Sequence, residues 1–204
     1  MFDAKQARKD LKAYRKKGPQ GATRRLLAAL RARLEGGFSL LDIGGGVGVI
    51  QHELARAGAV SVTAVDASHA YLDQLDAEAR LQGYRDRQTL VEGDFVMVAG
   101  EIPPATVVTL DKVICCYPDM QRLVAASAAK AKRIYAIVVP ADRLWLRFAA
   151  RVANFFVSRV LGWRFQSFVH SHQAIDAVCA SQGLVPCGAD PGFVWHVRIY
   201  ERRA

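Results

Sequence analysis

No run of eighteen uncharged apolar residues occurs in the chain, which excludes a membrane-spanning helix. Its opening, MFDAKQARKDLKAYRKKG, carries no apolar core, so a secretory signal is not expected. Internal repeats and low-complexity tracts are absent as well. Cysteine is scarce: Cys115, Cys116, Cys179 and Cys187 make no C-x-x-C pair, and two of them are adjacent. That pattern is neither a disulfide framework nor a zinc-ligand spacing, and it leads us to expect reduced thiols in a cytoplasmic protein with no metal. The Gly-Lys-Ser/Thr of a phosphate-binding P-loop is also missing. The 204 residues that remain to be explained, 51% hydrophobic and 23% charged, have the composition of one globular domain.

Acidic residues are nearly lacking at the start. Residues 1–33 hold eleven Lys and Arg against Asp3 and Asp10, so this segment alone accounts for the net charge of +9 and the remainder is balanced. A basic helix serves nucleic acid, an anionic membrane surface or an anionic substrate, or is simply a solvated face. No aromatic interleaving accompanies the charge, and a neutral remainder speaks against a large nucleic-acid surface; DNA is not an expected partner.

Apolar, β-prone runs alternate with helical stretches, the signature of a mostly parallel sheet with helices on both faces. Helices are predicted over about 4–16 and 23–34, the first closed by the breaker Gly18-Pro19. Strands are predicted at 39–43, 61–65, 88–92, 112–116 and 133–139, with helices at 49–57, 68–82 and 119–130 between them. A long helix over 144–161 and another over 171–182 follow, and strands at 184–187 and 193–200 flank the turn Asp190-Pro191-Gly192 as an antiparallel hairpin.

Chemistry is concentrated in Leu40-Leu41-Asp42-Ile43-Gly44-Gly45-Gly46-Val47-Gly48, a buried strand running into a glycine-rich turn and then a helix. Glycine lets a ligand approach the main chain, and the helix start offers unpaired N–H groups. The dinucleotide fingerprint G-x-G-x-x-G fails in both frames: Val49 stands where the third glycine belongs after Gly44 and Gly46, and Gln51 after Gly46 and Gly48. What stands there is D-x-G-x-G-x-G: Asp42, Gly44, Gly46 and Gly48. Eighteen residues on, Asp66 ends the second strand, where a carboxylate can accept from both ribose hydroxyls. Glu92-Gly93-Asp94-Phe95 follows the third strand, with Asp94 placed to accept from an adenine amino group and Phe95 to lie against the ring.

These three elements, in this order, resemble the Rossmann-like (class I) S-adenosylmethionine-dependent methyltransferases, over about residues 38–140. The resemblance implies a single α/β domain with a seven-stranded sheet ordered 3-2-1-4-5-7-6, its last strand antiparallel. It implies S-adenosylmethionine as cofactor and S-adenosylhomocysteine as product. Residues 1–35 would then form a basic helical cap segment and 36–204 the catalytic domain, with 141–170 a helical insertion on the substrate side. Cys116-Tyr117-Pro118-Asp119 is also loosely similar to the Tyr-Pro segment of magnesium-protoporphyrin O-methyltransferases.

Methyl transfer needs a nucleophile held against the methyl carbon, and a base only when the acceptor is not already ionised. Tyr117 and His170 are the catalytic candidates, one at the end of the expected fourth strand and one after the variable segment. Tyr14, Trp145 and His172 are the substrate-side candidates. Each also has a plain structural reading: a packed aromatic, a capped helix start, an ordinary core residue. The helix over 144–161, with Trp145, Phe148, Phe155 and Phe156, reads either as core or as an apolar lid over a hydrophobic acceptor, or as a contact with a membrane or a partner subunit. The acceptor is expected to be small or medium-sized, anionic or hydrophobic, and methylated at oxygen, since no Asn-Pro-Pro-Tyr-like motif follows the fourth strand. The rival readings are a nicotinamide-dependent oxidoreductase, a non-catalytic protein of this fold that binds RNA or a membrane through its basic N-terminus, and an RNA methyltransferase.

Overall fold

A computed structural model describes the backbone of residues 4–160 and 166–203, and the side chains within the 144–160 helix at residues 144–152 and 154. Leu161 and the side chains of Phe155 and Phe156, included in the expected long helix, lie outside the described residues.

Seven strands form one sheet in the order β3-β2-β1-β4-β5-β7-β6. They are β1 (Phe38–Ile43), β2 (Ala59–Asp66), β3 (Gln88–Glu92), β4 (Ala105–Asp111), β5 (Ala131–Pro140), β6 (Leu184–Pro191) and β7 (Trp195–Arg202). Only β7 runs against its neighbours, antiparallel to both β5 and β6. Strand order, handed out from β1 in both directions, leaves a crevice beyond the carboxyl ends of β1 and β4.

Two-residue alternation assigns side chains to the two faces. In β5, Tyr135, Ile137 and Val139 join one buried cluster, and Ile134, Ala136 and Val138 the other. The first face is covered by α5 (Phe95–Val98), α6 (Met120–Ala128) and α8 (His172–Ser181), the second by α2 (Gly21–Arg31) and α3 (Val49–Arg56). The fully buried Leu26, Leu27 and Leu30 make α2 part of that second core. In front of it, α1 (Ala4–Lys17) packs through Ala7, Leu11 and Tyr14 against Val47 and Tyr71, the latter on α4 (His69–Leu81). The basic side chains of α1 face solvent, while its apolar stripe is buried.

The fourth strand differs from expectation. Residues 112–116 are not a strand; Ala105–Asp111 is, and Ile114–Cys116 forms a single tight helical turn after it. The β-branched run Thr106-Val107-Val108-Thr109 supplies the strand, and Lys112, at a φ of +63°, turns the chain out of the sheet. Cys115 and Cys116 are therefore not strand-end residues: one is buried and the other exposed. The hairpin shifts too, with β6 running through Pro191 and the reversal falling at 192–194.

Because α2 is core, Leu26→Ala is expected to cost about 2–5 kcal/mol of stability, whereas Leu81→Ala at the exposed end of α4 should stay within about 0.5 kcal/mol, read by chemical denaturation.

Candidate active site

At the carboxyl edge of the sheet lies a cleft of about 1090 Å³, slightly above the usual range of small-molecule sites. Its floor is the turn Gly44–Val47 after β1, its flanks the ends of β2 and β4, and its far wall the start of β7.

The turn is shaped by what lies under it. Asp42 is fully buried, and its carboxylate accepts from Thr109 Oγ1 at 2.6 Å and Gln51 Nε2 at 3.1 Å. Burial raises its pKa to about 7, against the pull of those two donors. A Cβ on Gly45 would lie 2.1 Å from Asp42 Oδ2, so only glycine leaves the carboxylate its place. Gly48, with a φ of +79°, ends the turn and starts α3, and a Cβ there would meet Leu75 at 2.0 Å. Gly46 turns its N–H toward Asp66 Oδ2 at 3.0 Å, and Ser68 N–H donates to Asp66 Oδ1 at 2.9 Å. Asp66 is thus oriented from below by the backbone; burial raises its pKa and those two donors counter it.

Of the residues expected to hold a cofactor, Gly44, Gly46, Asp66, Asp94 and Phe95 line the cleft together. Asp42 and Gly48 do not: they set the shape of the turn from behind it. Asp94 caps α5 by accepting from Val96 N–H at 2.9 Å, and Phe95 borders the cleft while its ring is buried in the core. The positive-φ glycine turn, the acids at the ends of β2 and β3 and the cleft volume fit an adenosine-bearing cofactor.

The family-model comparison agrees with this geometry: a methyltransferase-domain model matches residues 40–141, half of the chain. The chain belongs to the Rossmann-like S-adenosylmethionine-dependent methyltransferases. Its cofactor is S-adenosylmethionine, and it is a methyltransferase. No curated protein sequence matches it. Among solved structures it is similar to magnesium protoporphyrin IX methyltransferase from Synechocystis PCC 6803 with bound S-adenosylhomocysteine, at a TM-score of 0.70 and 17% identity over 96% of this chain and 95% of that one. It is also similar to an O-methyltransferase family protein from Burkholderia thailandensis, at 0.69 and 16% over 90% and 57%. A third is an O-methyltransferase family 2 protein from Planctomyces limnophilus DSM 3776 in complex with apigenin, at 0.66 and 19% over 100% and 62%. At these identities the likeness is one of fold.

The candidates for the methyltransferase's acceptor side fare differently. Tyr117 borders the cleft, but its hydroxyl donates to Asp94 at 3.0 Å, and burial together with that carboxylate raises its pKa. His170 faces away, its Nε2 3.1 Å from the Tyr117 carbonyl and its ring stacked on Phe168. It lines a separate shallow groove with Pro118, Asp119, Met120 and Gln121. His172 starts α8 and donates to the Pro140 carbonyl at 2.8 Å, beneath β5 and β7. Tyr14 is buried behind the turn, stacked on His52 and donating to Glu53 at 3.0 Å, with its pKa pushed up to about 12; Asp10 is the residue that α1 sends to the cleft. Trp145 packs on Phe193, away from the cleft lining.

Besides Asp10, the cleft residues that the sequence did not point to include Asp111, Lys112 and Trp195. Lys112 is the one described non-glycine residue with a positive φ. Its ammonium sits 3.1 Å from Asp111, 3.0 Å from Thr23 Oγ1 and 5.9 Å from the Trp195 ring centre. The sequence places Lys112 at the start of a strand over 112–116, whereas it lies just past the end of β4.

Asp66→Ala should weaken S-adenosylhomocysteine binding by about ten- to a hundredfold in calorimetric titration, through loss of charged hydrogen bonds. Asp42 gives a second test. Its folded-state pKa lies above its ordinary 3.8, so the folded chain holds that proton more tightly and stability falls as pH rises from about 4 to about 7; Asp42→Asn should flatten this limb in denaturation curves taken across that window.

Proposed function

We propose that this methyltransferase acts from the cytoplasm on an oxygen of a small or medium-sized acceptor with a planar or apolar body, and that the oxygen belongs to a carboxylate. The observation that carries the reading is the cluster of Lys112, Asp111 and Trp195 at the end of the cleft away from Asp94. An ammonium beside an aromatic face suits an anionic group on a flat body. The structural neighbours that are O-methyltransferases by description lend support, one of them in complex with apigenin.

Gly44, Gly46 and Asp66 would hold the amino-acid and ribose parts of the cofactor, and Asp94 with Phe95 the adenine end. When bound, S-adenosylmethionine supplies an electrophilic methyl carbon. The chain's own part is then positioning and exclusion of water, the terms through which proximity contributes up to about 7–11 kcal/mol. Lys112 orients the carboxylate, held in place by Thr23 and Asp111, and Trp195 limits where the acceptor's body lies. A carboxylate is ionised at neutral pH, so no base is required. That accords with the two catalytic candidates, Tyr117 and His170, being engaged with Asp94 and a backbone carbonyl. The loop after β4 reads Asp111-Lys112-Val113-Ile114, with none of the Asn-Pro-Pro-Tyr pattern of amino-group enzymes.

An acceptor screen with labelled cofactor, comparing aryl carboxylic acids with the matching phenols and amines, tests the proposal. Base-labile methyl esters are the expected product. Lys112→Met should raise KM for the acid by about tenfold or more while leaving S-adenosylhomocysteine affinity unchanged, and Lys112→Arg should recover part of it. Methylation confined to amines, or an unaffected Lys112→Met enzyme, would overturn the reading.

A further inference from the structure

The helix that follows β5, α7 (Leu144–Val160), leaves the sheet at the same carboxyl edge that carries the cleft. Leu144, Phe148 and Val152 recur every fourth residue, with Trp145 beside them, so they share one face. That face is turned to solvent: Leu144 is 82% exposed and Phe148 70%. The β6–β7 reversal extends it, for Phe193 is 71% exposed and its ring lies 5.5 Å from that of Trp145. A monomeric soluble protein seldom leaves such a patch uncovered.

The two acids beside the patch, Asp142 and Asp190, are both paired with arginines, and the charge left over is basic. Asp142 is the sole acid between residues 140 and 160, and it is paired with Arg147 at 2.6 Å. Arg143 and Arg151 repeat the four-residue spacing alongside the apolar stripe, with the Arg143 guanidinium 5.4 Å from the Phe193 ring centre. Across the reversal, Arg25 neutralises Asp190 at 2.6 Å and donates to the Trp195 carbonyl at 2.7 Å, which ties the start of α2 to this rim. The exposed Lys16, Lys17 and Arg24 lie in and just before that start. Tryptophan, phenylalanine and leucine on one face, arginine at its border and no free acid are the composition of a helix that lies in a lipid–water interface.

We propose that α7 and the 193–194 reversal form a docking face for an anionic lipid bilayer, against which the cleft mouth is held. The inference rests on the exposed face and its charge, independently of the acceptor's identity. Insertion of Leu144, Trp145, Phe148 and Phe193 below the headgroups removes their surface from water, and the flanking arginines with Lys16 and Lys17 meet the phosphates. This assigns to membrane contact a second basis beyond the basic N-terminal helix, one in which apolar burial and charge act together.

Flotation of the full chain with vesicles of phosphatidylcholine alone, or mixed with phosphatidylglycerol, tests it. The protein should float with the mixed vesicles and not with the neutral ones, and added salt should reduce the bound fraction. L144S/F148S should lower the partition by about tenfold or more while retaining S-adenosylhomocysteine affinity and Tm; R143Q/R151Q should lower it by about tenfold at low salt. The proposal is overturned if the folded, cofactor-binding protein ignores mixed vesicles, floats equally with neutral ones, or floats as well after L144S/F148S. It is equally overturned if light scattering shows a dimer that L144S/F148S dissociates while vesicles stay unbound, since a second copy would then cover the face.

Discussion

Everything at the carboxyl edge of this sheet depends on one buried carboxylate. Asp42 sits under the glycine turn, fully buried, and the protein answers with a hydroxyl from β4 and an amide from α3. Those two donors lock β1 to β4 and to the following helix at the point where the turn begins. The carboxylate in turn dictates glycine at 45, because no Cβ fits beside it. A buried acid is costly in isolation; here its hydrogen bonds, and a pKa near neutrality, moderate that cost and fix the geometry on which Gly46 and Asp66 rely.

How much of this was legible in sequence follows from the range of the interactions concerned. The turn and its two acids could be read because they are set locally: a strand end, glycines at fixed offsets, a carboxylate at the next strand end. Strand order followed from the alternation of elements through the family resemblance. The fourth strand was misplaced because Lys112-Val113-Ile114-Cys115-Cys116 has strand composition, while the left-handed backbone that removes it from the sheet leaves no mark in a lysine. The surroundings of the histidines could not be read locally for a related reason. A ring nitrogen takes whichever partner tertiary packing brings, and at His170 and His172 that partner is a backbone carbonyl. Lys112 and Trp195 meet only once β7 has folded back beside β5, a contact that no local pattern encodes.

The N-terminal segment illustrates how one helix can carry two messages. Read by charge, α1 and α2 are a basic cap segment; read by burial, α2 holds Leu26, Leu27 and Leu30 within the core. Tyr14 belongs to the packed side of α1. Its hydroxyl accepts from Arg56 and donates to Glu53, while His52 behind it is kept neutral, its pKa lowered to about 4 by burial. With the Val47 carbonyl able only to accept, His52 carries its proton on Nε2, and Nδ1 is left to accept from Tyr84. The helix that brings Asp10 to the cleft is therefore anchored by neutral and charged hydrogen bonds together.

The left-handed backbone at Lys112 sets folding and chemistry against each other at a single position. A side chain in that conformation costs about 1–3 kcal/mol, which glycine would recover without disturbing the strand before it. Glycine would remove the one ammonium among the described residues that line the cleft. A chain selected for thermal endurance alone would drift to glycine here. On the proposed reading of the acceptor, lysine here makes greater stability available to the protein only at the expense of its hold on what it modifies.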